Sequence, residues 1–306
     1  MTLNVGIVLP TRESMLYGER SGDPEPLIEL AVAAEDSGLD SVWAGDSLFA
    51  RPRPEPLTLL AGVAARTERV TLGTAVLLPM LRQPLLFAQQ VGTLDRMASG
   101  RFILGVGAAA NAPSVQAEFE AVGVDYTRRS SAMVAMLQRC RKLWEGDPDD
   151  VAMLPRPAAE GRPPIWVGGS GDKTLQRTGR HFDGWFPTAA TPEAFARGWA
   201  TVRAAAEAAG RDPDSLANAA YLTVTIGPEA DAVAAQREHM EAYYSVPYEA
   251  MSKVQGCVAG SAERCLDWLG HFVDAGVEHL VVRFGSGDPA GQLEAFVPLA
   301  DLLRGE

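Results

Sequence analysis

Short apolar runs recur along this chain, and stretches with apolar residues spaced three and four apart separate nearly all of them. Eight runs read as strands: Asn4 to Leu9, Ser41 to Ala44, Val70 to Val76, Phe102 to Val106, Ile165 to Gly168, Gly184 to Phe186, Tyr221 to Ile226 and His279 to Phe284. Between them, Pro26 to Ser37 sets Leu27, Leu30, Ala31 and Ala34 on one stripe. It then meets Gly38, a residue suited to the left-handed turn that ends a helix. Arg128 to Glu145 repeats Met133, Met136, Leu137 and Trp144 before Gly146, and the Ala-rich Glu193 to Ala209 stops at Gly210. Strand, helix, glycine, strand, taken eight times, predicts an α/β chain folded as a single (β/α)8 TIM barrel over residues 1–306.

Two segments exceed a bare barrel and predict insertion loops over its C-terminal face. Ala108 to Tyr126 carries small residues and Pro113 ahead of a short helical EFEAVG, and Glu241 to Val258 carries Tyr243, Tyr244 and Tyr248. Such excursions cover an active site or make a dimer contact, and both readings stand. No internal repeat, low-complexity tract or linker points to a second domain.

Composition narrows the function. The 306 residues are 47% hydrophobic and 22% charged, enough for a large core. A formal net charge of −12 repels polyanions, so nucleic acid and anionic membrane are not expected partners. No run reaches the length of a membrane span and no secretory signal is read, so a cytoplasmic protein is expected. Cys140, Cys257 and Cys265 make no C-x-x-C pair. The four histidines, His181, His239, His271 and His279, show no ligand spacing, so no metal is expected.

Candidate chemistry gathers at strand ends. The second strand exits into Gly45-Asp46-Ser47, where Asp46 is either a catalytic group or a turn cap. The run from Ile165 into Gly168-Gly169-Ser170-Gly171-Asp172 is a strand, a small-residue turn and a helix start. It is an anion site for a phosphate, or a turn needing glycine for shape alone. Gly105-Val106-Gly107-Ala108-Ala109-Ala110 matches a dinucleotide fingerprint, but Pro113 falls in the first turn of the helix that would hold the pyrophosphate. Lys142, Lys173 and Lys253 lie in helices or loops, which disfavours a Schiff-base aldolase. Arg283, near the end of the last strand, meets either an anionic substrate or cofactor tail, or a neighbouring carboxylate, and Arg128 and Arg129 open a helix.

Arg69 to Gly107, RVTLGTAVLLPMLRQPLLFAQQVGTLDRMASGRFILGVG, resembles the bacterial luciferase-like oxidoreductases. Pro163 to Leu175 and Asp183-Gly184-Trp185 match a second motif of that family, and the likeness runs from Val5 to about Leu302. The resemblance implies a flavin- or deazaflavin-dependent enzyme, a monooxygenase or a hydride-transferring reductase or dehydrogenase. It would use FMN or F420 on a small organic substrate, as a homodimer. It further implies Thr74, Ala75, Val76 and Gly107 at the cofactor ring, with a cis peptide between Ala75 and Val76, and Gly168, Gly169, Ser170 and Gly171 at its phosphate. Asp46 and Ser47 would face the substrate as the catalytic pair, and Arg283 would bind it. Two departures bear on mechanism: Ser47 stands where relatives carry a proton-transferring His, and Ala110 where deazaflavin sugar-phosphate dehydrogenases carry a carboxylate. They motivate the alternative of a non-catalytic flavin-binding protein. Gly146 to Pro157 is short and acidic where many relatives insert a hairpin.

Overall fold

Because a helix separates most of the apolar runs, each pair of neighbouring strands runs in the same direction. In the computed structural model, residues 3–17, 22–147, 149, 151, 153–159 and 161–305 are described. The segment Gly146 to Pro157 therefore lies partly outside them. The strands are β1 (Asn4–Val8), β2 (Ser41–Ala44), β3 (Thr71–Thr74), β4 (Phe102–Val106), β5 (Ile165–Val167), β6 (Gly184–Trp185), β7 (Ala217–Asn218), β8 (Ala220–Ile226), β9 (Cys257–Gly260) and β10 (His279–Phe284). The helices are α1 (Glu13–Tyr17), α2 (Glu25–Asp36), α3 (Pro56–Ala64), α4 (Pro84–Met97), α5 (Pro113–Ala121), α6 (Arg129–Glu145), α7 (Asp172–His181), α8 (Pro192–Ala208), α9 (Glu229–Tyr244), α10 (Tyr248–Met251), α11 (Ala262–Asp274) and α12 (Pro289–Arg304). One parallel sheet takes the order β7, β6, β5, β4, β3, β2, β1, β10, β8, β9.

That is ten strands rather than the expected eight. Residues 217–226 form a single run broken only at Ala219, whose N–H donates to the Trp185 carbonyl at 2.9 Å. Its first part pairs with β6, and its second part pairs with β10 and with β9. Helix α10 and the first half of the extra strand β9 fall inside the supposed excursion Glu241 to Val258, and small residues hide the strand's periodicity. A Rossmann arrangement is excluded, since Gly107 leads to an irregular turn and Pro113 opens α5.

The two faces of the sheet are filled differently. Between sheet and helices lie aliphatic residues such as Val42, Leu72, Leu104, Leu222 and Val282, all fully buried. The inner face is aromatic, with Trp43, Trp166, Phe186 and Tyr221 packed together and Trp43 stacked on Trp166 at 5.6 Å. His279 closes this layer. Its Nε2 lies 2.6 Å from the Ser41 hydroxyl, which accepts the Trp43 indole N–H, and burial pushes its pKa down to about 4. It is therefore neutral at neutral pH and belongs to the core. The carboxyl ends of the strands stand above this layer. Among the described residues no helix is long and apolar enough to cross a membrane.

Candidate active site

Over the aromatic layer, at the carboxyl ends of the strands, lies a cavity of about 350 Å³. It is within the size range of small-molecule sites. Its floor is the end of β3. There the strand stops at Thr74 and the peptide bond between Ala75 and Val76 is cis. Ala75 donates its N–H to the Ala44 carbonyl, Leu77 donates to Gly105, and Gly107 donates to Leu77, so the bulge is fastened on both sides. The Val76 side chain fits between two glycines. A Cβ on Gly107 would stand 2.6 Å from Val76 Cγ2, and one on Gly168 3.1 Å from Val76 Cγ1. Ala108, Ala109, Ala110, Val115 and Phe186 complete an apolar wall.

Of the residues expected at the site, Asp46, Ser47, Ala75, Val76, Gly107, Gly168 and Gly169 line this one cavity. The others do not. Thr74 is wholly buried beneath the floor and donates its hydroxyl to the Gly105 carbonyl at 2.6 Å, so it braces the bulge. Ser170 and Gly171 lie beyond the rim, exposed, where Gly171 caps the amino terminus of α7. The Gly168 N–H is already given to the Val106 carbonyl, which leaves only the amides after it for an anion. Arg283 is 1% exposed and does not reach the cavity. Its Nη1 donates to the Tyr244 hydroxyl and its Nη2 to Thr223, and the Tyr243 ring centroid lies 4.3 Å from Cζ. Tyrosines thus stand between Arg283 and this cavity.

The two expected catalytic residues are tied into the scaffold. The Asp46 carboxylate accepts from the Leu78 N–H at 2.9 Å and from both terminal nitrogens of Arg82, at 2.6 and 3.1 Å. Arg82 also donates to Glu55 at 2.7 Å. Burial alone would lower Arg82, but these two carboxylates raise it above its ordinary value. Ser47 donates to Glu118 Oε1 at 2.7 Å and accepts from the Arg51 N–H. The same carboxylate oxygen accepts from the N–H groups of Phe49 and Ala50, while Glu118 Oε2 is buried at the cavity wall without a partner among the described residues.

Glu118 therefore staples the loop after β2 to α5. Nothing in EFEAVG marks it in advance, because an acidic residue on a short helix reads as surface. Hydrogen bonds to a charged group contribute about 1.5–3 kcal/mol each. Glu118→Ala removes the shared acceptor of three donors and is expected to cost about 3 kcal/mol in urea unfolding. Glu118→Gln, which keeps an acceptor oxygen, should cost less than about half of that.

A basic and phenolic wall is made by Arg51, Arg53, Tyr221, Tyr243 and Tyr244, of which only Tyr243 and Tyr244, in the excursion after Glu241, were foreshadowed in sequence. Pro52 and Pro54 hold the arginine loop extended, and a Cβ on Gly45 would collide with the Arg53 guanidinium, so that glycine makes room for it. Burial by itself raises the Tyr243 phenol, but Arg53 and Arg283 beside it favour phenolate and bring it below its ordinary value. Tyr221 and Tyr244 are shifted the other way, mainly by burial.

A family model described as Luciferase-like monooxygenase matches residues 3–279. The chain is 30% identical over 226 residues to a 5,10-methylenetetrahydromethanopterin reductase of Methanolobus tindarius, covering 71% of this chain and 67% of that protein. It is 26% identical to an F420-dependent glucose-6-phosphate dehydrogenase of Mycolicibacterium gilvum, covering 89% of this chain and 92% of that one. Its fold is similar, with a TM-score of 0.81 at 22% identity over 98% of each chain, to an F420-dependent secondary alcohol dehydrogenase in complex with an F420-acetone adduct.

Proposed function

Since the chain belongs to the luciferase-like monooxygenase family, we propose that it is an oxidoreductase that holds F420, or FMN, over Ala75 and Val76 and acts on a small organic molecule. The observation that carries this is the cavity itself: a floor of Ala75 and Val76, bounded by Gly107, Gly168 and an apolar wall, suits a flat ring. F420 is favoured because the similar dehydrogenase of Mycolicibacterium gilvum is named for it. The same reading closes the sheet as a single-domain (β/α)8 barrel. It takes residues 217–226 as one strand between β6 and β10 and leaves β9 outside the ring. A homodimer belongs to it as well, resting on the exposed Leu86 and Met97 of α4.

A bound deazaflavin supplies two-electron hydride chemistry, and a flavin adds reaction with oxygen. The chain supplies the rest. Ala75, Val76, Ala108 and Phe186 exclude water from the reacting face. Gly169, Ser170 and Gly171, ahead of α7, offer backbone N–H groups and a helix amino terminus to a phosphate. The proton that accompanies reduction of a carbonyl cannot come readily from Asp46, held by Arg82, or from Ser47. Tyr243, on the cavity wall within hydrogen-bonding reach of Arg53, holds it at its hydroxyl. This titratable group removes the ground on which Ser47 and Ala110 suggested a protein without turnover.

Tyr243→Phe is expected to lower kcat about a hundredfold or more, the usual contribution of a positioned acid. The pH profile carries the sign. With Tyr243 as the acid, the alkaline limb of kcat/KM lies below the ordinary tyrosine value of 10. Arg53→Met takes a cation from the phenolate, so the limb should move up. The enzymatic reading is tested by mixing the protein with reduced F420 and a set of small ketones and aldehydes without air, and with reduced FMN in air. Reoxidation that depends on both protein and substrate is expected. Its absence with every pair would defeat the reading.

A further inference from the structure

We infer that the substrate carries an oxyanion, a carboxylate or phosphate, which docks on Arg51 and Arg53 beside the reacting face; this deepens the oxidoreductase reading and rests on it. Four guanidinium groups converge on the neighbouring rings of Tyr243 and Tyr244. Arg12 Cζ lies 5.4 Å from its ring centroid, Arg53 Cζ 5.7 Å and Arg283 Cζ 4.3 Å, while Arg51 Cζ lies 5.1 Å from the neighbouring Tyr244 ring. Among the described groups that act most strongly on Arg12, Arg53 and Arg283, the carboxylate is Glu13, which is buried 3.3 Å from His239 Nε2.

The other two acids at the cavity are already committed. Asp46 is matched by Arg82, and Glu118 by Ser47 and two backbone amides. Arg12 is 6% exposed, and its Nε and Nη1 are buried without partners among the described residues. Arg12 and Arg283 are buried and Arg51 and Arg53 half-buried, and such an excess of desolvated positive charge is costly unless a counter-charge joins it. Arg51 and Arg53 are the two of the four that line the cavity, so the missing charge arrives there with the ligand. A guanidinium fork matches a carboxylate or phosphate in two parallel hydrogen bonds.

The glycines before α7, where the cofactor phosphate is read, follow β5, three strands along the sheet from β2, which leads to the arginine loop. The two anion sites are therefore distinct.

The test uses protein loaded with F420, its affinity measured first, and titrated with benzoate, phenyl phosphate and the neutral benzamide. Benzoate or phenyl phosphate should bind about tenfold or more tighter than benzamide. Arg51→Met should remove about tenfold from the anion's affinity while leaving benzamide and F420 unchanged. The two anions separate carboxylate from phosphate, and preference for either supports the inference. Equal binding of anion and amide, or anion affinity untouched in both Arg51→Met and Arg53→Met, would overturn it. A loss of F420 affinity in Arg51→Met would also overturn it, by assigning the arginines to the cofactor. Should F420 fail to bind wild type, the oxidoreductase reading falls alone, and the same anion titration on free protein, followed by tryptophan fluorescence, still decides this one.

Discussion

Gly105→Ala is expected to destabilise the protein by about 3 kcal/mol or more and to lower its Tm by about 6 °C or more. Gly105 sits in β4 where the end of β3 crosses it, and a Cβ there would overlap the Thr74 carbonyl oxygen. That oxygen is backbone, so no side-chain rotation relieves the clash. Thr74 is further pinned by its own hydroxyl on the Gly105 carbonyl, which also receives the Leu77 N–H. Relief must therefore come from moving residues 74–77, which carry the cavity floor. Calorimetry of the variant checks the stability, and a Tm within about 1 °C of wild type would show that the crossing is not as tight as described. Gly107→Ala is the contrast, because its Cβ meets a side chain, Val76, rather than backbone. It should be less destabilised than Gly105→Ala and should change the cavity.

Arg82→Met should cost about 3–5 kcal/mol, the usual result of removing one partner from a buried ion pair. The Asp46 side chain is 2% exposed and would keep only the Leu78 N–H among its partners. Urea unfolding of wild type and variant measures this. A loss below about 1 kcal/mol would mean that Asp46 finds water or another donor. Since Arg82 also holds Glu55, the loop from Arg51 to Glu55 should loosen in the same variant.

Much of the chain was readable in advance because its period changes clearly between strand and helix. Glycines at 38, 146 and 210 have positive φ at the helix ends they were expected to mark. What escaped notice has physical reasons. The strand β9 is Cys-Val-Ala-Gly, too short and too small in side chain to show alternation, and 217–226 is interrupted at Ala219 in a way no hydrophobic pattern reveals. At the site, residues on consecutive strand ends were legible because they follow recognisable motifs. Arg53 was not, and Glu118 and Tyr243 were legible only as members of the two excursions, since these residues reach the cavity from separate segments and nothing local marks them; Arg82, which holds Asp46 from outside the lining, was not legible either. Asp46 and Ser47 were legible as cavity residues from their position after β2, whereas the hydrogen bonds by which they also hold loops in place were not.

The central claim is that the cavity above Ala75 and Val76 seats a flat redox ring, and direct titration of wild type and Gly107→Val with F420 and with FMN tests it. Micromolar binding of at least one to wild type is expected, weakened by a hundredfold or so, about 2.7 kcal/mol, in Gly107→Val, whose side chain would occupy the ring's place. Failure of wild type to bind either cofactor, or equal affinity in a folded Gly107→Val, would contradict the account.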